Sequence, residues 1–148
     1  PFQYRIIGSG PEKEKLQFAV YQLGLTNEVI FVGKRNQDEV KSELQKATLY
    51  LQYSHQEGFC NAVLEAQAMG KICIVSDAEG LTENVINNVT GFVVLKRNPL
   101  SLATAISAFV ALSDEEKELI SNAAVNRVKS EFNLEDQTAK FIEFYEKY

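Results

Sequence analysis

Between Tyr4 and Leu95 the chain repeats one pattern: a short apolar run, a glycine or polar turn, then a stretch with apolar residues at helical spacing. Tyr4 to Ile7 closes on Gly8-Ser9-Gly10-Pro11, after which Leu16, Ala19, Val20 and Leu23 mark a helix between Glu12 and Leu23. Gly24 suits its stop, and Val29 to Val32 reads as a buried second strand ended by Gly33. Asp38 is placed to cap a helix from Glu39 to Lys46 that carries Val40 and Leu44 on one face. Thr48 to Gln52 and Ile72 to Val75 read as further strands on either side of a central helix, Leu81 to Ile86 as a short helix, and Phe92 to Leu95 as a fifth strand. Beyond Pro99 only helical patterns remain. Leu102, Ala105, Ile106, Phe109 and Val110 form a stripe, Ser113 to Glu116 resembles a capping box opening a helix to about Lys129, and Phe141, Phe144, Tyr145 and Tyr148 are expected to pack from a last helix.

Strands that alternate with helices predict an α/β fold: a Rossmann-like parallel sheet of about five strands with helices on both faces and right-handed crossovers. No repeat, low-complexity tract or linker interrupts residues 1–148, so a single domain is expected. Ligands of such sheets bind outside the carboxyl ends of the strands. The Gly8 to Gly10 turn, the loop after Val32, the loop opening at Ser54 and the loop after Val75 are therefore expected on one edge.

Composition narrows the class of partner. Hydrophobic residues make up 45% and charged ones 24%, an ordinary globular balance, and the net charge of -5 argues against nucleic acid or an anionic membrane as the main partner. Cys60 and Cys73 lack metal-like spacing and read as reduced core or pocket thiols. Neither a signal peptide nor an apolar stretch of about eighteen residues is present, so a soluble chain is expected. Because Pro1 leads almost directly into strand-like sequence, the chain is expected to be a piece of a longer protein with part of its site elsewhere.

The chemistry concentrates in Ser54 to Gly70, SHQEGFCNAVLEAQAMG. A helix beginning near Gly58 would offer free amides and the positive end of its dipole to an anion. Glu57 would lie at the mouth and Glu65 about two turns inside, with backbones roughly 12 Å apart. That spacing is too long for two groups acting on one bond, and a glycosidase pair needs carboxyl groups roughly 5 to 10 Å apart facing one bond. It suits a ligand with hydroxyls at both ends and negative charge between them, the outline of a nucleotide diphosphate sugar. Val63, Leu64, Ala66 and Ala68 leave little exposed helix surface, so Glu65 is expected to meet ligand rather than solvent.

At these residues the sequence resembles a known family. Gly8-Ser9-Gly10-Pro11, Val32-Gly33, Glu57-Gly58-Phe59 through Glu65-Ala66-x-Ala68-Met69-Gly70, and Gly80-x-x-Glu83-Asn84-Val85 before Gly91 resemble the carboxy-terminal domain of group 1 glycosyltransferases. These are glycogen synthase-like, retaining enzymes of the two-domain GT-B type, each domain Rossmann-like. The resemblance implies a hexosyltransferase that moves a sugar from a nucleotide diphosphate sugar to an acceptor in surface polysaccharide or glycoconjugate biosynthesis. It implies Glu57 as the catalytic-site glutamate near the donor sugar and Glu65 as the ribose-binding one. Gly8, Ser9, Gly10, Gly58, Phe59, Cys60, Asn61 and Glu83 would line the donor site, with Phe31, Val32 and Gly33 flanking the base. No metal or other cofactor is expected. The acceptor domain and the family's basic pair would precede Phe2, so the isolated domain is expected to be inactive. A cytoplasmic enzyme, with peripheral association of the full-length protein at the inner membrane face, completes what the resemblance implies. The chain departs from the family at Cys60, where glycine is usual, and at Asn61.

Other readings are a nucleotide-sugar epimerase of the same build and a non-catalytic nucleotide-binding module. Asp77-Ala78-Glu79 reads as a solvated loop rather than a metal pair, because no histidine accompanies it. His55 reads as a loop residue near the cleft, and Ser9 and Ser54, with no base beside them in sequence, as turn or cap residues.

Overall fold

The computed structural model describes residues 2–147, and the chain folds as two compact units, Pro1–Lys46 and Ala47–Tyr148. In the first unit, β1 (Tyr4–Ile7), α1 (Lys13–Gln22), β2 (Val29–Gly33) and α2 (Gln37–Lys46) form a strand–helix–strand–helix run. β1 and β2 are parallel, with Tyr4 opposite Val29 and a slip after Ile6 that sets Ile7 opposite Gly33. The cap of α2 is Asn36, two residues earlier than the predicted Asp38. Its carboxamide accepts from the Glu39 amide at 2.9 Å while Glu39 accepts from the Asn36 amide at 2.9 Å, a reciprocal pair that satisfies two amide donors at the helix start. Arg5 on β1 reaches Glu43 on α2 with two hydrogen bonds, 2.6 and 3.0 Å.

This unit has almost no interior of its own. Only Leu44 is buried among its described residues. The predicted stripe of α1 is open, with Leu16 48% and Leu23 71% exposed, and β2 is half-buried along its length rather than buried.

The second unit holds β3 (Leu49–Gln52), α3 (Asn61–Ala68), β4 (Ile72–Ser76), α4 (Glu79–Asn84), β5 (Gly91–Val94), α5 (Pro99–Ala111), α6 (Asp114–Glu131) and α7 (Leu134–Glu146). Its three strands are parallel in the order β3-β4-β5, so the five expected strands are all present but paired as one two-stranded and one three-stranded sheet. All five residues of the central strand β4 are buried, as a strand covered on both faces requires. On one face Ile72, Ile74, Val94 and Phe109 form a core against which Leu49, Leu51, Leu102, Ala105 and Ile106 pack. Val63 and Ala66 of α3, Leu81 of α4 and Ala124 of α6 are fully buried.

Local chemistry starts the long helices where the sequence places them. Asn98 caps α5 with Pro99 in its first turn, and the Ser113–Glu116 capping box opens α6. Two expectations about packing fail. Val110 is 69% exposed, because it falls outside the face that Leu102, Ala105, Ile106, Phe109 and Leu112 turn to the core. Phe141, Phe144 and Tyr145 also stay exposed, stacking on one another at ring-centroid distances of 4.9 and 5.4 Å. Tyr148 lies outside the described residues. Among the described residues no helix is long and apolar enough to cross a membrane.

Candidate functional site

In the first unit the parallel strands bring the two glycine turns together. The Gly8 amide donates to the Gly33 carbonyl at 2.9 Å, joining the ends of β1 and β2. Both glycines have positive φ, 121° and 81°, which a side chain would strain. Gly8, Ser9 and Gly10 are exposed beyond β1, while Phe31, Val32 and Gly33 are half-buried in β2. The candidates of this unit thus share one sheet end.

In the second unit the loop from Ser54 carries Glu57 to the start of α3. That helix begins at Asn61 with Cys60 as its N-cap, three residues later than the predicted start at Gly58. The reason lies in distant residues. The Gly80 amide of α4 donates to the Glu57 carbonyl at 3.1 Å, and the Cys60 amide donates to Asn84 Oδ1 at 3.1 Å. These bonds hold residues 57–60 outside the helical path. Glu57 therefore sits in a loop, and the 12 Å separation expected along a helix does not describe the pair.

Gly80 makes the close approach possible. A Cβ there would fall 1.3 Å from the Gly58 carbonyl oxygen, so only glycine lets α4 lie against the Gly58–Phe59 peptide. Asn84 is fully buried, with its amide nitrogen unpartnered. Its position is set from 43 residues away, where the Arg127 guanidinium of α6 donates to the carbonyls of Asn84 at 2.7 Å and Glu83 at 2.8 Å. Arg127 also lies 5.0 Å over the Phe132 ring, which in turn stacks at 5.8 Å against Phe59. Arg127 closes the last turn of α4 as a cation at a helix C-terminus, where it is favoured. No local pattern around Arg127 announces this role, because its partners are remote in sequence.

The two glutamates differ in setting. Glu57 is half-buried and accepts a hydrogen bond from Ser54 Oγ at 3.3 Å. Ser54 is thus more than a turn residue, since its hydroxyl orients an acidic partner. Glu65 is exposed on a face with Asn61, Ala62 and Ala68, while Val63, Ala66 and Gln67 point inward. The helix does have an open face, contrary to expectation, and Glu65 stands on it. Glu83, Gly58, Phe59 and His55 are exposed as well.

Cys60 is buried, and burial pushes its thiol up; nearby Glu57 and Glu65 add to the rise, and the Ala62 and Val63 amides oppose it. Its sulfur makes no regular cap hydrogen bond. Tyr50, on the adjacent strand, is pushed well above the usual phenol range by burial first, then by Cys60, Cys73, Glu65 and Glu57. Both cysteines are free. Asp77 accepts the Lys96 amide at 2.7 Å, a loop-closing role, and among the described residues no group of three acidic, histidine or cysteine side chains is placed to hold a metal ion. An anion at the start of α3 would meet the positive end of its dipole beside the exposed Gly58, Phe59 and Asn61.

Residues 1–126 match the family described as glycosyl transferases group 1. Among similar proteins, an uncharacterized glycosyltransferase of Methanocaldococcus jannaschii, MJ1607, is 32% identical over 95% of this chain and 36% of its own length. The putative colanic acid biosynthesis glycosyltransferase WcaL of Escherichia coli is 30% identical over 89% of this chain and 34% of its own length. A glycosyltransferase structure from Rickettsia africae superposes with a TM-score of 0.92 at 25% identity, over 99% of this chain and 40% of that one. The chain thus spans about a third of the curated relatives it matches, and on the strength of the family match and these likenesses it belongs to the group 1 glycosyltransferases.

Proposed function

We propose that this chain is the donor-binding part of a retaining glycosyltransferase that moves a sugar from a nucleotide diphosphate sugar to an acceptor, in the assembly of a surface polysaccharide or glycoconjugate. The observation that carries it is the pairing, across the start of α3, of a held Glu57 with an open Glu65. The first turn of α3 supplies the dipole for the diphosphate, Glu65 binds the ribose hydroxyls, and Glu57 faces the donor sugar. Charge that builds on the departing diphosphate is stabilised by donors already in place, so the reaction proceeds without a metal. Relatives named for colanic acid and amylovoran biosynthesis support the polysaccharide setting. A likeness in fold to an Anabaena protein solved with UDP and with UDP-glucose supports the ligand class. The acceptor is held by sequence outside this chain, and the full-length protein works in the cytoplasm at the membrane face.

Calorimetric titration with UDP-glucose, UDP-N-acetylglucosamine and GDP-mannose, in the presence and absence of EDTA, tests the reading. One of them is expected to bind irrespective of EDTA, and Glu65→Ala to weaken that binding by about 1 to 3 kcal/mol through loss of charged hydrogen bonds. Unchanged binding in Glu65→Ala would overturn the assignment. Product analysis with the full-length protein separates a transferase, which yields a glycoside, from an epimerase, which yields a free sugar.

A further inference from the structure

The alternate residues of β3 and of the two positions that follow it, Tyr53 and Ser54, divide between two faces. Leu49, Leu51 and Tyr53 pack toward the core with Ile72 and Ile74. Tyr50, Gln52 and Ser54 fall on the opposite face by the two-residue period of a strand, and there they form a chain of side-chain hydrogen bonds. Tyr50 Oη donates to Gln52 Oε1 at 2.9 Å, Gln52 Nε2 donates to Ser54 Oγ at 3.1 Å, and Ser54 Oγ donates to Glu57 Oε2 at 3.3 Å.

The direction of this chain follows from its end. An ionised carboxylate only accepts, so the Ser54 hydroxyl must spend its one proton on Glu57. Its oxygen is then open to a donor, which the Gln52 amide nitrogen supplies. That choice turns the amide oxygen toward Tyr50, whose phenol is protonated and donates. A phenol is protonated in the neutral range, and burial moves Tyr50 further above it. A primary amide accepts on one side and donates on the other, so position 52 transmits to Tyr50 the polarity that the Glu57 carboxylate imposes.

We propose that Gln52 is a positioning residue for Glu57, acting with Tyr50 and Ser54 to hold the Glu57 carboxylate by Oε2 in one orientation and leave Oε1 for the donor sugar. This rests on the reading of Glu57 as the glutamate of the sugar site. The backbone of the same residue is held separately by the Gly80 amide, so main chain and side chain have independent restraints. Sites that must hold a reacting group within fractions of an ångström depend on such supporting contacts.

Gln52→Glu is the sharpest variant, because it is nearly isosteric and reverses the chain. Both carboxylate oxygens accept, so the Ser54 proton turns to residue 52 and leaves Glu57. A crystal structure of Gln52→Glu at neutral pH is expected to show the 3.3 Å Ser54–Glu57 contact broken, whatever the donor; its retention overturns the proposal. Gln52→Met, which removes the polar atoms at similar volume, serves the same purpose if the charged variant fails to fold. Kinetics on the full-length protein use nucleoside diphosphate release from whichever of UDP-glucose, UDP-N-acetylglucosamine and GDP-mannose it turns over. Gln52→Glu should lower kcat about tenfold or more with donor KM changed less than about threefold. In a Glu57→Gln background the same substitution should cost nothing further, because Gln52 acts only through Glu57. An equal loss in both backgrounds marks a general structural role and overturns the proposal. Wild-type turnover by Glu57→Gln alone overturns the reading of Glu57 as well, which separates the two failures.

Discussion

The two units make opposite use of similar strand–helix patterns. β4 buries all five of its residues, whereas β1 leaves Tyr4 and Ile7 exposed and α1 buries nothing. A strand covered on both faces and paired on both edges carries stability; a two-stranded sheet with open helices borrows little from its own packing. The contrast teaches that apolar periodicity reports the capacity for a buried face, while the number of covering elements decides whether that face is used. In the second unit three strands and several helices supply the cover, and the Glu57 loop is built on that well-buried part.

The largest expected effect breaks the second unit where it is tightest. Gly80→Ala puts a methyl group onto the Gly58 carbonyl and must drive α4 from the Glu57 loop. A loss of about 3 kcal/mol or more in urea denaturation is expected, with loss of donor binding. Wild-type stability would show that α4 has a second, looser seat. Next, Ile74→Ala should cost about 3 to 4 kcal/mol from its fully buried position, whereas Leu16→Ala, half exposed on α1, should stay within about 0.5 kcal/mol. Equal losses would erase the contrast between the units.

A smaller effect concerns the thiol at the start of α3. Because burial raises the Cys60 thiol, less thiolate is present at a given pH than for a free cysteine. Alkylation by iodoacetamide at pH 8 should lag glutathione and gain on it only as pH climbs beyond the ordinary thiol range. A rate that equals or exceeds glutathione at pH 8 would contradict the buried setting. The smallest effect belongs to the first unit. The Arg5 hydrogen bond holds the Glu43 carboxyl below its usual range, so its stabilising share is complete above the ordinary carboxylate value and is lost as pH falls through the lowered one. Arg5→Gln should therefore lower the thermal midpoint slightly at neutral pH and approach the wild type as pH falls from 6 to 3, which flattens the acid limb of the stability profile.

Much of this was legible in order. Five strands, the helix stop at Gly24, the Asn98-Pro99 start of α5 and the Ser113–Glu116 box are local features, and local chemistry produced them. The cap of α2 was legible too, in Asn36-x-x-Glu39, although the nearer Asp38 competes with it in sequence. The start of α3 was not. Nothing within the Ser54 to Gly70 stretch says that the Cys60 amide will be taken by Asn84 or the Glu57 carbonyl by Gly80, more than twenty residues onward. The exposure of Glu65 depends likewise on which face of α3 the sheet covers.

The sequence by itself determined the alternation of parallel strands and helices, the glycine turns and the residue types at the site, because apolar period, caps and glycine conformations act over a few residues. Tertiary structure alone decided how those residues are presented. Gly80, Asn84 and Arg127 draw Glu57 to Cys60 out of the helix, and β3 aligns Tyr50, Gln52 and Ser54 behind the Glu57 carboxylate. Hydrogen bonds and close contacts between distant segments form only once the chain has folded, so their consequences cannot be read from spacing along it.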